Sequence, residues 1–254
     1  MLLHGVGHRR QAWNAVASLL APDRELILVD LPGHGDSPPL RTAGRAPAEA
    51  MVAEILGLLD ELGLQRPHLA GNSLGGALAL GTAARGRAAT VTALSPAGFW
   101  PHNGHFRSAK AIFKVMQLTG KGLQPVVPAL ARSVPGRALI YAMIVSRPGQ
   151  LSPEQAAGDA AAFLAARDAV NTILDSPASF TASLPGDVPV TIAWGTHDRV
   201  LPPSQARIAR QRLPLARFVP LPGCGHVPMT DDPALVAKVL LDGSALPATD
   251  REPA

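Results

Sequence analysis

Short apolar runs alternate along this chain with longer stretches in which apolar residues recur every three to four positions. The short runs, at residues 1–3, 25–30, 67–71, 90–94, 188–195 and 216–221, are rich in Val, Leu and Ile, as strands buried on both faces are. The longer stretches, at 10–20, 47–62, 74–84, 203–213 and 231–241, predict helices between them. In 47–62 the stripe is plain, with Met51, Ile55, Leu58, Leu59 and Leu62 on one face. Strands alternating with helices predict an α/β fold: a mostly parallel sheet of about six strands, flanked by helices.

The alternation stops between residues 99 and 185, where the pattern predicts only short helices broken by Pro and Gly, at 108–118, 134–144 and 152–174. Residues 1–98 and 186–242 therefore read as one core, 99–185 as a helical cap inserted over the sheet, and 243–254 as a flexible tail. At 254 residues the chain is long enough to bury a full core in a single domain.

Composition narrows the function classes. A single cysteine, Cys224, excludes an internal disulfide framework and a Cys-rich zinc site. No run of about 18 apolar residues and no leader pattern are present, so no transmembrane segment is expected and a cytoplasmic location is. The net charge is +4, and no Asp or Glu lies between Glu61 and Glu154, an interval that includes Arg107, Lys110, Lys114, Lys121 and Arg132. That basic stretch either solubilises the chain or favours an anionic substrate or a membrane face. Nucleic acid is not expected as a partner, since the basic residues match no reading motif and are not interleaved with aromatics.

The richest chemical signal is Gly71-Asn72-Ser73-Leu74-Gly75-Gly76, between the 67–71 strand and the 74–84 helix. A serine on so sharp a turn is forced into a strained conformation that lifts its hydroxyl clear of the sheet, and its neighbours two residues away must be very small. Gly71 and Gly75 meet that demand. The helix that follows points its N-terminus at the same spot, favouring developing negative charge.

With four other segments this turn resembles the α/β-hydrolase family over almost the whole chain. His4-Gly5-Val6-Gly7 resembles the family's oxyanion loop, and Asp30 to Ser37 its Asp-x-Pro-Gly-x-Gly-x-Ser turn. Trp194-Gly195-Thr196-His197-Asp198 is similar to the loop bearing the catalytic acid, and Gly223-Cys224-Gly225-His226 to the loop bearing the histidine. The resemblance implies the α/β-hydrolase fold with a helical cap, and an oxyanion hole formed by the backbone amides of Val6 and Leu74. It also implies that two strands and part of a third precede the His-Gly loop, whereas only three residues precede His4 here. The expectation is a start roughly 20 to 25 residues upstream, or a protein of low stability with residues 25–30 as an exposed sheet edge.

A serine hydroxyl needs a neighbouring base. Of eight histidines, His4 and His34 lie in the turns just named, where bonding to backbone is the expected role; His68 enters a strand; His8 and His197 are expected at the surface; and His102 and His105 lack a third metal ligand. His226 follows the last predicted strand, at the same sheet edge as Ser73, and is the candidate base. Asp198 follows the preceding strand at that edge and is the candidate carboxylate, while Asp231 and Asp232 read as helix caps. The order Ser, Asp, His is the one this fold uses.

The expected function is hydrolysis of a carboxylic ester or related acyl compound through an acyl-enzyme on Ser73, without metal or organic cofactor. The substrate would be a small acyl molecule, anionic or amphiphilic. Phe99, Trp100, Phe113, Met116 and Tyr141 are candidate pocket residues, with Phe106, Ile112 and Phe163 beside them. Three alternatives stay open: carbon–carbon hydrolysis of a ring-cleavage dienoate, whose enzymes the Gly-Asn-Ser-x-Gly-Gly turn resembles; a cofactor-free perhydrolase; and a ligand-binding receptor on the same fold. Oligomeric state is left open by the sequence.

Overall fold

The computed structural model describes residues 1–176 and 178–245. Its strands are β1 (Leu2–Leu3), β2 (Leu28–Val29), β3 (His68–Asn72), β4 (Thr90–Leu94), β5 (Val190–Gly195) and β6 (Arg217–Leu221). They form one parallel sheet in the order β2-β1-β3-β4-β5-β6, with β2 at the edge as expected for residues 25–30. The helices are α1 (Asn14–Leu20), α2 (Pro47–Glu61), α3 (Leu74–Ala83), α4 (Asn103–Leu123), α5 (Val127–Ala131), α6 (Val134–Tyr141), α7 (Pro153–Ala165), α8 (Arg167–Leu174), α9 (Gln205–Arg212), α10 (Pro228–Asp231) and α11 (Pro233–Gly243). Most of the expected tail, from residue 246 on, lies outside the described residues.

Successive strand residues feed two separate cores, because side chains alternate across a sheet. Leu3, Leu69, Ala93 and Ile192 enter one core with Met51, Ile55 and Leu59 of α2 and Leu78 of α3. Leu2, Ala70, Leu94 and Ala193 enter the other with Val16 of α1 and Val236 and Leu240 of α11. Of the stripe expected on α2, Leu62 is the exception: it falls at the helix C-cap and is 48% exposed.

Between β4 and β5 lie α4 to α8, with no strand among the described residues. The helices there differ from expectation at three places, the first being the helix expected at 152–174, which is two, α7 and α8, broken at Ala166. α4 runs 21 residues, straight through Gly104, Gly120 and Gly122. The Ala109, Phe113, Met116, Gly120 and Leu123 stripe, at helical spacing, turns inward and outweighs about 1 kcal/mol per glycine of lost helix propensity. The short α5 went unpredicted because Pro128 sits inside it, where the first turn of a helix tolerates proline.

Strand order places the site. The chain passes from β1 outward to β2 and then returns to β3 on the other side of β1, so the connections that follow β1 and β3 lead away to opposite sides. Such a switch point opens a crevice. Register pairs Leu3 with Gly71, which carries Gly5 to the level of Ser73.

Candidate active site

Ser73 stands between β3 and α3 at φ 54°, ψ −115°, a left-handed conformation that costs a non-glycine residue of order 1–3 kcal/mol. Its neighbours have no room for side chains: a Cβ on Gly71 would overlap the Gly75 carbonyl, and one on Gly75 would overlap the backbone carbonyls of Leu3 and His4. The turn is thus locked against β1 and the loop after it. A Cβ on Gly5 would lie 3.4 Å from the Ser73 Cβ, so that loop crosses directly above the serine. The Val6 N–H donates no hydrogen bond among the described residues, and the Leu74 N–H, first in α3, has no intrahelical acceptor. Two unused amides therefore flank Ser73.

The loop over Ser73 is held by histidines that bond to backbone. His34 Nε2 accepts from the Gly7 N–H at 2.9 Å while its Nδ1 donates to the Pro32 carbonyl at 3.0 Å. His4 Nε2 accepts from Leu31 N–H at 2.9 Å and its Nδ1 donates to Gly5 O at 2.7 Å. Burial lowers both pKa values below the usual histidine range, that of His4 strongly, so both rings are neutral and keep one donor and one acceptor each. Asp30 accepts from the Arg10 N–H at 2.6 Å and pairs with the Arg10 guanidinium, fixing the far end of the loop.

Asp198 and His226 meet each other in a buried hydrogen bond. His226 Nδ1 donates to Asp198 Oδ2 at 2.8 Å, with both residues buried. The other carboxylate oxygen accepts from the Val200 and Leu201 N–H groups at 2.9 and 2.8 Å, so the acid cannot rotate away. A carboxylate on Nδ1 sets the tautomer and leaves the Nε2 lone pair free. The Asn72 amide, beside Ser73, donates to the carbonyls of His226 at 2.9 Å and Leu94 at 3.2 Å, tying the histidine loop to the serine turn.

Asp231 is not a helix cap. Fully buried, it accepts from Gly225 N–H at 2.7 Å and from Arg147 N–H at 2.6 Å, clamping the residue before His226 to the segment after α6. Asp232 does cap α11, accepting from Leu235 N–H at 2.9 Å. Asn72 and Asp231 were both missed as site residues from sequence, since each acts on backbone far along the chain.

Two cavities, of about 320 and 300 Å³, meet at Val6, Ser73 and Phe113. The larger extends past Trp100 and Phe106 to Val52 and Phe180. The smaller holds Asn72, His226, His8, Met116, Tyr141, Asp159 and Phe163. Of the candidate pocket residues, Trp100, Phe113, Met116 and Tyr141 thus line one lobe or the other. Phe99 does not: it is fully buried against Phe180, 5.7 Å between ring centroids, because Gly98 at φ 98° turns it into the sheet-side core. Ile112 lines neither lobe.

His8 is also displaced from its expected surface position. Gly7, at φ 72°, turns the chain so that His8 N–H donates to Gly5 O and the ring faces the smaller lobe; its Nδ1 is shielded and has no partner among the described residues. Burial lowers its pKa and nearby Asp159 opposes that shift. Asp159 itself accepts from Arg9 Nε at 2.8 Å, joining the loop above Ser73 to α7. His197 is exposed, His68 bonds Thr90 Oγ1 at 3.0 Å, and His102 accepts from Gly104 N–H at the start of α4. No group of three His, Cys, Asp or Glu side chains able to hold a metal occurs among the described residues, and none of their helices is long and apolar enough to cross a membrane.

The model of the alpha/beta hydrolase family matches residues 1–239. An epoxide hydrolase of Mycobacterium tuberculosis is 33% identical over 196 residues, covering 72% of this chain and 87% of that protein. The dihydrolipoyllysine-residue acetyltransferase component of the acetoin cleaving system of Pseudomonas putida is 27% identical over 230 residues; they cover 89% of this chain but only 58% of that protein's length. Among solved structures, a bacterial membrane phospholipase A superposes with a TM-score of 0.73 at 26% identity, over 95% of this chain and 77% of that one.

Proposed function

The chain belongs to the alpha/beta hydrolase family, and we propose that it is a serine hydrolase that cleaves a carboxylic ester or related acyl compound through an acyl-enzyme on Ser73. The observation that carries this reading is the buried His226–Asp198 hydrogen bond at 2.8 Å beside a strained serine that shares a cavity with His226. Ser73 Oγ attacks the acyl carbon as His226 Nε2 takes its proton. The negative oxygen that forms is received by the Val6 and Leu74 N–H groups, a service worth about 3 to 4 kcal/mol per donor in comparable sites. Collapse expels the alcohol, which leaves with the proton held by His226. Water then attacks the acyl-enzyme with the same histidine as base, restoring Ser73. Asp198 holds the tautomer and stabilises the imidazolium. This sequence needs neither metal nor organic cofactor.

The insertion α4–α8 acts as a cap, its Phe113 and Phe163 closing the site over Ser73. Both lobes are walled mostly by apolar side chains, which suits an ester with an apolar arm on each side of the carbonyl. Arg85, exposed at one lobe, is the one Lys or Arg side chain among their described lining residues, which favours an ester over a dienoate carrying a carboxylate. Epoxide opening by Ser73 is disfavoured chemically: its alkoxide would give an ether, which the same base and water cannot hydrolyse.

The test is turnover of a p-nitrophenyl ester. Ser73→Ala is expected to remove nearly all of it, and adding His226→Ala to cost little more, because members of such a unit are not additive. Full activity in Ser73→Ala overturns the assignment.

A further inference from the structure

Nine large apolar side chains are exposed among the described residues, and six of them, Val115, Leu118, Val126, Val134, Leu139 and Met143, belong to α4, α6 and their flanks. That concentration is unusual, since scattered exposed apolar residues need no explanation but a cluster does. The cluster is also placed. Val115, Leu139 and Met143 line the lobe that holds Ser73 and His226, so they stand at its mouth, and Leu118, 75% exposed, lies one turn along α4 from Val115.

At 100° per residue, α4 carries three stripes. Phe113, Met116 and Leu123 face the core; Val115 and Leu118 face solvent; and Arg107, Lys110, Lys114 and Lys121 run between the two. Lys110 pairs with Asp175 at 2.6 Å, while Lys114 and Lys121 are exposed with no ion pair among the described residues. The whole of α4, α5 and α6 falls inside the interval that contains no Asp or Glu. An apolar stripe edged by lysines, on a helix that carries no carboxylate of its own and meets Asp175 at Lys110, is the pattern of a helix lying in the plane of a lipid–water interface, apolar side in the acyl boundary and ammonium groups at the headgroups.

We propose that this face of the cap docks on an anionic lipid surface, with the mouth of the Ser73 lobe turned toward the acyl region. Amphiphilic esters would then enter the site without crossing bulk water; that consequence rests on the hydrolase reading, whereas the docking itself does not. It also gives the acid-free stretch of sequence a role beyond solubility.

Flotation with phosphatidylcholine vesicles, with and without phosphatidylglycerol, tests the docking, alongside turnover of a short soluble ester. The protein is expected to float with the anionic vesicles, far less with neutral ones, and to be released by high salt. Each lysine contributes about a five-fold factor at such a surface, so Lys114→Ala with Lys121→Ala should weaken partitioning by roughly 30-fold. Leu118→Glu should weaken it further. Neither variant touches the lobes, and soluble-ester turnover should be unchanged in both, which also reports that they fold. Failure of the unaltered protein to bind anionic vesicles, or binding indifferent to these substitutions, overturns the proposal. So does light scattering that shows a dimer dissociated by Leu118→Glu, since the patch would then be covered by a second copy. Absence of soluble-ester turnover in the unaltered protein would count against the hydrolase reading while leaving the flotation result to stand by itself.

Discussion

Replacing Asp231 by Asn changes one oxygen to an amide and leaves shape and volume almost untouched, yet a large effect is expected. Both carboxylate oxygens accept backbone N–H groups, from Gly225 at 2.7 Å in a buried bond and from Arg147 at 2.6 Å in a partly buried one. An asparagine can accept from one of them and must turn an N–H toward the other. The loss is one charge-assisted hydrogen bond together with an unsatisfied buried donor, about 2 to 4 kcal/mol. For a domain of this size that lowers Tm by about 5 to 15 °C. Because Gly225 precedes His226, kcat for an ester should fall as well. The neighbour supplies the control. Asp232 caps α11, where Asn serves as well as Asp, and its contact with Arg147 is a partly exposed 3.7 Å pair, so Asp232→Asn should cost less than about 1 kcal/mol. Calorimetry and ester kinetics on the two variants decide it: equal Tm shifts, or an unaltered Tm and kcat in Asp231→Asn, would refute the clamp.

Asn72→Ala removes the donor shared by the Leu94 and His226 carbonyls, and with it the tie between the serine turn and the histidine loop. Since small misplacements of a base can cost about 100-fold, kcat should drop at least ten-fold with KM little changed; the reverse split would contradict a positioning role. Acid should destabilise the fold through His4, His8 and His34, whose pKa values burial holds below the unfolded value of about 6.5. Above that pH both states are neutral and stability is full; as pH falls from there the unfolded chain takes protons the folded chain refuses, at up to about 1.4 kcal/mol per group per pH unit. Urea midpoints that stay flat as pH falls from neutrality to one unit below 6.5 would contradict it.

What the sequence revealed was what short-range periodicity encodes. β4 falls on the residues its Thr-Val-Thr-Ala-Leu run predicts, and α2 ends within one residue of its expected limit. The turn at Ser73 was readable because Gly71 and Gly75 are local necessities, and the loops of Asp198 and His226 because both follow strands of one sheet edge. The features that escaped are those that join distant segments. Asp231 and Arg147 are 84 residues apart, and Asn72 and His226 are 154 apart. Asp231 beside Asp232-Pro233 has the same local look as a cap. His8 was expected outside because nothing in His-Arg-Arg shows that Gly7 turns the ring inward, and Phe99 was expected in the pocket because an aromatic in an insertion gives no hint of which layer it joins.

The most direct test of the acyl-enzyme account is labelling of the protein with a fluorophosphonate, followed by mass spectrometry of its peptides. A strained serine beside a free His226 Nε2 and two open amides should react stoichiometrically. The account predicts one adduct, on the peptide containing Ser73, lost in Ser73→Ala and slowed in His226→Ala. Ester turnover by a protein that takes no label, or takes it on another residue, would contradict it.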